Sequence, residues 1–165
     1  MRCGFRWSRE RRASTERRVS DVPAPLAELI DDFGSVGPKD RLQLLLELSE
    51  ELPDLPERYA DHPDQLEQVH ECQSPLFLAV EIVDDTVRLF FSAPKEAPTT
   101  RGFAGILHTG LNGQSPQAVL DVPDDIPFRF GLAEAVSPLR MRGMVAMLSR
   151  IKRQIRVSAE GRDVG

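Results

Sequence analysis

A chain of 165 residues, 41% hydrophobic and 28% charged, is sized for one domain with a single core and tails. It contains no apolar run of the roughly 18 residues a spanning helix needs and no signal-peptide apolar region, which points to a soluble, intracellular, cytoplasmic protein with no membrane partner. The net charge of −5 is uneven, because residues 1–18 hold seven arginines against Glu10 and Glu16, a tail near +5 on a body near −10; an acidic body is a poor nucleic-acid ligand, since duplex binding needs a cationic face.

Residues 1–21 have no apolar periodicity and read as a disordered basic tail, a solvated extension or the result of an early start codon. Residues 22–157 read as the domain and 158–165 as a flexible C-terminal tail. Within the domain, "PAPLAELIDDFG" is entered through proline and closed by Gly34, with Leu26, Leu29, Ile30 and Phe33 on one helical face. A second helix starts at Pro38, carries an apolar stripe of Leu42, Leu45, Leu46 and Leu52, and ends at Pro53. The two are expected to pack as a helical hairpin.

The Pro- and Asp-rich stretch "PDLPERYADHPDQ" argues against regular structure until Leu66, after which an extended segment leads to Glu71. "LFLAVEIV" and "TVRLFFS", separated by Asp84 and Asp85, predict an antiparallel hairpin. "PTTRGFAGILHTGLNG" spaces Phe103, Ile106, Leu107 and Leu111 as a helix stopped by "NG" and covering the sheet. "SPQAVLDV" suits a short helix capped by Ser115, and "PFRFGLAEAV" an irregular turn or short helix. The last and longest helix begins at "SP" and repeats Met141, Met144, Val145, Leu148 and Ile151, with basic residues late, where the helix dipole favours them. The fold class is α+β: a small antiparallel sheet packed against several helices.

Cys3 lies in the tail and Cys72 in the domain, so a disulfide framework is not expected and a reducing compartment fits. Taken alone, a single cysteine is more often a small buried hydrophobe than a nucleophile. Cys72, however, follows a Pro-rich loop, precedes a strand instead of sitting within it, and has Gln73 and Ser74 beside it as donors. A loop thiol can reach another protein, but only its thiolate is reactive, and near the reference pKa of about 8.5 little is ionised at neutral pH. His70 shares a face with Cys72 in an extended segment and is a candidate to assist, while Glu71 opposes ionisation.

Neither CxxC nor a paired HxxxH occurs, so a structural zinc site is not expected. His62 and His108 read as surface residues, and neither makes a protease-like pair with Cys72. "RGFAG" lacks the spacing of a phosphate loop, so Gly102 and Gly105 read as helix-packing positions. Arg140 stands in the first turn of the last helix, where a positive charge opposes the dipole; docking and simple solvation compete as reasons for it.

Cys72-Gln73-Ser74 before a strand, "TRGFAGIL" with Arg101 and Gly102, and "SPLRMRGMVAML" with Arg140 and Gly143 together resemble the SufE family, sulfur acceptors of cysteine desulfurases in iron–sulfur cluster assembly. "LAELIDDFGSVGPKDRLQLLLELSEELPDLPE" is similar to that family's N-terminal helical pair, so the resemblance covers about residues 24–156. Glu71 stands where many members have glycine, and "SAPKEAPT" differs from the small, acidic stretch many carry there.

The resemblance implies a SufE/IscU-like fold. It also implies that Cys72 takes persulfide sulfur from a SufS-like cysteine desulfurase, stimulates that enzyme and passes the sulfur toward an iron–sulfur scaffold. Such a protein has no turnover of its own and no bound cofactor, the pyridoxal phosphate belonging to the desulfurase. Arg140, Glu71, Gln73, Gly102 and Gly143 are then the expected partner-binding residues. The alternative is a non-covalent allosteric activator of a desulfurase or sulfurtransferase, with Cys72 incidental. A cluster scaffold would need about three cysteine ligands, and the domain has one.

Overall fold

The computed structural model describes residues 22–163. The tail, with Cys3, lies outside the described residues. Helices α1 (Ala24–Gly34) and α2 (Pro38–Glu51) are followed by a one-turn helix α3 (Glu57–Ala60), a 3-10 turn at Pro63–Gln65 and a two-residue strand β1 (Glu67–Gln68). Then come β2 (Phe77–Val83), β3 (Thr86–Ser92), α4 (Pro98–Leu111), α5 (Pro116–Leu120), 3-10 turns at Ile126–Phe130 and Leu132–Glu134, and α6 (Pro138–Asp163). The fold is α+β, as composition and periodicity predict.

The sheet is antiparallel in the order β1-β2-β3. Asp84 and Asp85 both adopt positive φ, 51° and 58°, the conformation a two-residue hairpin turn demands and Asp tolerates. They fix the register: Val83 pairs with Thr86, and Leu78 with Phe91. The period of two then sends Leu78, Val87, Leu89 and Phe91 into the main core. On the opposite face Ala79, with Phe77 and Phe90 packed against it, meets Tyr59 and Leu66. The Pro- and Asp-rich stretch is therefore more ordered than its composition suggests: α3 presents Tyr59, whose hydroxyl donates to Glu81 Oε1 at 2.7 Å. Burial, reinforced by the Glu81 carboxylate, pushes that phenol up to about 12.

The first two helices do not form the expected hairpin. Each lies chiefly against α4, and three glycines explain why. A Cβ at Gly102 would come within 2.5 Å of Leu45, one at Gly105 within 2.5 Å of the Leu48 carbonyl oxygen, and one at Gly110 within 2.5 Å of Leu26. Such close approach is available only where there is no side chain. It also corrects the stripe of α2: Leu45, Leu48 and Leu52 are buried, whereas Leu42 and Leu46 are exposed. Arg101 pins the arrangement, donating from Nε to Ser49 O at 3.2 Å and from Nη1 to Ala93 O at 2.8 Å.

Helix α6 buries Met141, Met144, Met147, Leu148, Ile151 and Ile155. Val145 is only half-buried, so the core stripe passes through Met147 as well. The helix continues to Asp163, past the boundary expected at residue 157. Its start is capped as read, the Arg140 N–H donating to Ser137 Oγ at 3.3 Å, and Ser115 Oγ likewise accepts from Ala118 N–H at 3.2 Å.

Candidate functional site

Cys72 sits on the six-residue connection between Val69 and Leu76. The Val69 N–H donates to Leu76 O at 2.8 Å, closing the loop at its base, and the Cys72 N–H donates back to Val69 O at 3.3 Å. Val69 and Leu76 are both buried, while His70, Glu71, Gln73 and Pro75 are exposed. Two apolar anchors thus hold the loop's ends, and its polar residues project outward. Cys72 turns back, half-buried against the core, and Ser74 is half-buried as well.

The thiol's seat is supplied by Gly143. A Cβ there would stand 3.0 Å from Cys72 Sγ, so a side chain at position 143 would push the sulfur out by a few tenths of an ångström, and glycine lets it sit close against α6. In front of the sulfur is a cavity of about 220 Å³. The loop contributes Cys72, Gln73 and Ser74, the start of α4 contributes Thr99, Thr100 and Phe103, and α6 contributes Arg140 and Gly143. Three segments far apart in sequence meet around one thiol, and these are the segments that carry the three motifs. Arg140 is exposed at the rim. Gly102 is not part of the rim; it is buried against Leu45.

The electrostatics keep the sulfur protonated. Burial pushes the Cys72 thiol up to about 11, the Glu71 carboxylate adds to the rise, and Arg150 opposes it. His70, a candidate assistant, is absent from these influences on the thiol; its charge acts on Glu71 instead. His108, expected at the surface, is half-buried, and burial lowers its pKa. The sign for Cys72 is direct: alkylation needs thiolate, so its rate in the free protein should keep climbing with pH well past about 8.5, where an unperturbed thiol is half ionised. A rate profile that levels off near that reference value would mean that burial does not control the thiol.

Reading the sequence alone misses Arg150. Its Nη1 and Nη2 donate to the two Glu71 carboxylate oxygens at 2.6 and 3.2 Å, across 79 positions of sequence, and no local pattern pairs them. The carboxylate of Glu71 is held below its usual range chiefly by this bond. On the other side of Glu71 lies an apolar groove of about 700 Å³, lined by Phe128, Pro138, Met141 and Val145 among others. Among the described residues no group of three or more His, Cys, Asp or Glu is placed to hold a metal ion. No described helix is long and apolar enough to cross a membrane.

A family model described as "SufE: Fe-S metabolism associated domain" matches residues 27–155. An uncharacterized SufE-like protein of Mycobacterium tuberculosis, found in two strains, is 55% identical over 138 residues, spanning 83% of this chain and 95% of its own. SufE-like protein 1, chloroplastic/mitochondrial, of Arabidopsis thaliana is 24% identical over 137 residues, 82% of this chain but 36% of that protein. The solution structure of a hypothetical protein from Thermus thermophilus superposes with a TM-score of 0.75 at 41% identity, over 84% of this chain and 98% of that one.

Proposed function

Because the chain belongs to the SufE family and carries its Fe-S metabolism associated domain, we propose that it is a cytoplasmic sulfur acceptor that takes sulfane sulfur from a cysteine desulfurase onto Cys72. The observation that carries this reading is the convergence of the three motif segments on one thiol. In the transfer, the Cys72 thiolate attacks the terminal sulfur of a persulfide on the desulfurase. A bond forms between Cys72 Sγ and that sulfur, the sulfur–sulfur bond to the enzyme's cysteine breaks, and the electron pair leaves with that cysteine as thiolate. The Cys72 proton has already gone to solvent or to a base on the partner. The exchange is redox-neutral and needs no cofactor on this chain. The sulfur then passes by the same chemistry to a downstream acceptor in cluster assembly.

A thiol of pKa about 11 is a poor nucleophile at neutral pH. The loop therefore has to leave its seat on Gly143, and water or the partner's site then solvates the thiolate. Its six-residue length, closed at Val69 and Leu76, allows the tip to move while the strands stay paired. In the resting position the same burial protects the sulfur from adventitious oxidation. The apolar groove beside Glu71, flanked by the exposed Phe128 and Leu139, supplies area for a partner protein to cover.

The test is incubation with L-cysteine and a cysteine desulfurase, followed by intact mass measurement. The expected product carries one added sulfur atom, and an unmodified chain under conditions where the desulfurase turns over would overturn the reading.

Arg140 supports docking more than stability. A positive charge in a first helical turn costs a few tenths of a kcal/mol, and its guanidinium can fork onto a partner carboxylate as lysine cannot. Arg140→Ala should leave the melting temperature within error and weaken binding to the desulfurase about fivefold, roughly 1 kcal/mol. Unchanged affinity would make Arg140 a solvated side chain, and a large fall in melting temperature would make it structural.

A further inference from the structure

The Cys72 loop has few ties of its own. Besides the backbone bonds from Val69 to Leu76 and from Cys72 to Val69, its side-chain hydrogen bonds among the described residues are those joining Glu71 to Arg150. The two halves of that pair differ. Glu71 rides on the loop with its side chain 47% exposed, whereas the Arg150 side chain is 19% exposed and its Nε also lies 3.5 Å from Glu67. Glu67, on β1, is itself gripped by α6: Gln154 Nε2 donates to its Oε1 at 2.9 Å, and Arg153 bonds its Oε2. Gln154 Oε1 meanwhile accepts from Val80 N–H in β2 at 2.9 Å. One end of the pair is thus built into the helix and sheet, and the other is attached to the segment that carries the thiol.

We propose that Arg150 is a positioning residue which, through its two-pronged bond to Glu71, latches the Cys72 loop against α6 and sets how readily the thiol leaves its seat. The consequence for sulfur transfer rests on the function proposed above, but the latch is a property of the free chain. Its strength is that of a partly exposed ion pair, so it is strong enough to bias the loop and weak enough for a docking partner to break by offering Glu71 or Arg150 another counter-charge.

Arg150 acts on the thiol in two ways of opposite sign. Its charge favours the thiolate, so removing it should slow alkylation if charge is all that matters. Removing the latch should instead speed alkylation by freeing the loop. The experiment uses the full chain carrying Cys3→Ser, so that only Cys72 reacts, and follows alkylation by iodoacetamide near neutral pH at low and high sodium chloride, with no desulfurase present. Arg150→Gln is expected to react roughly two- to fivefold faster than the parent at low salt. The parent should accelerate as salt screens the pair, the variant should change far less, and Arg150→Lys should fall between them. Glu71→Gln, which cuts the latch from its exposed end and spares α6, should also react faster and lose the salt response. Slower or unchanged alkylation in Arg150→Gln, or a salt response that survives in both variants, would overturn the latch. Because no sulfur transfer is measured, that outcome is separate from failure of the acceptor function.

Discussion

Cys72→Ser is expected to abolish sulfur loading, leaving no detectable added sulfur by intact mass after incubation with L-cysteine and a cysteine desulfurase. Cys3→Ser should load like the parent. A hydroxyl at position 72 fits the seat on Gly143, but serine oxygen is not ionised near neutral pH and forms no stable bond to sulfane sulfur. The substitution therefore removes chemistry while sparing the fold: Cys72 is only half-buried, and the melting temperature should change little. Binding to the desulfurase should survive as well, since Arg140 and the loop backbone remain. That separation matters for the alternative in which the chain is a non-covalent activator: a Cys72→Ser protein that still stimulated desulfurase turnover in full would favour activation without transfer. Loading of Cys72→Ser at the parent rate would move the acceptor site elsewhere.

Gly105→Ala is expected to be strongly damaging to the fold, although it adds only one methyl group. Alanine is the better helix former by about 1 kcal/mol, so an isolated helix would gain. Here the new methyl would lie 2.5 Å from Leu48 O and 3.0 Å from Leu48 C. Backbone atoms of a packed helix cannot rotate away, and α2 would have to shift from the helix at the centre of the core. Overpacking of that kind costs about 1–3 kcal/mol and occasionally more, with the upper end expected against backbone. The clash outweighs the propensity gain, for a net loss near 2 kcal/mol and a fall in melting temperature of about 4–8 °C. Gly34→Ala is the control, because nothing lies within 4 Å of a Cβ at that position. It should hold or raise the melting temperature, and equal behaviour of the two variants would mean that helix contact does not restrict residue 105.

Much of the architecture is written in short-range signals. Pro23, Pro38, Pro98 and Pro138 stand before or at the first residue of α1, α2, α4 and α6, because proline's missing N–H costs nothing there. Alternation of apolar residues on either side of Asp84 and Asp85 determined the hairpin and its register. The three motif segments are short and local, and residues from each of them line the cavity at the thiol. Each of these signals acts within a few residues, which is why a linear reading finds it.

Only the tertiary structure decided the rest. Which face of α2 is inside depends on the glycines of α4, some 57 positions away, so local periodicity favoured Leu46 where the fold buries Leu48. Arg41 donates to Phe33 O at 2.9 Å and Gly131 O at 3.2 Å, and Lys152 is buried against Asp124 and Val122; no local pattern marks either role. The state of Cys72 belongs here too. Its identity and loop position are local facts, but its raised pKa comes from the wall of α6 behind it and its restraint from Arg150. Burial and electrostatics depend on what packing brings within a few ångströms, and side-chain type along the chain does not contain that distance.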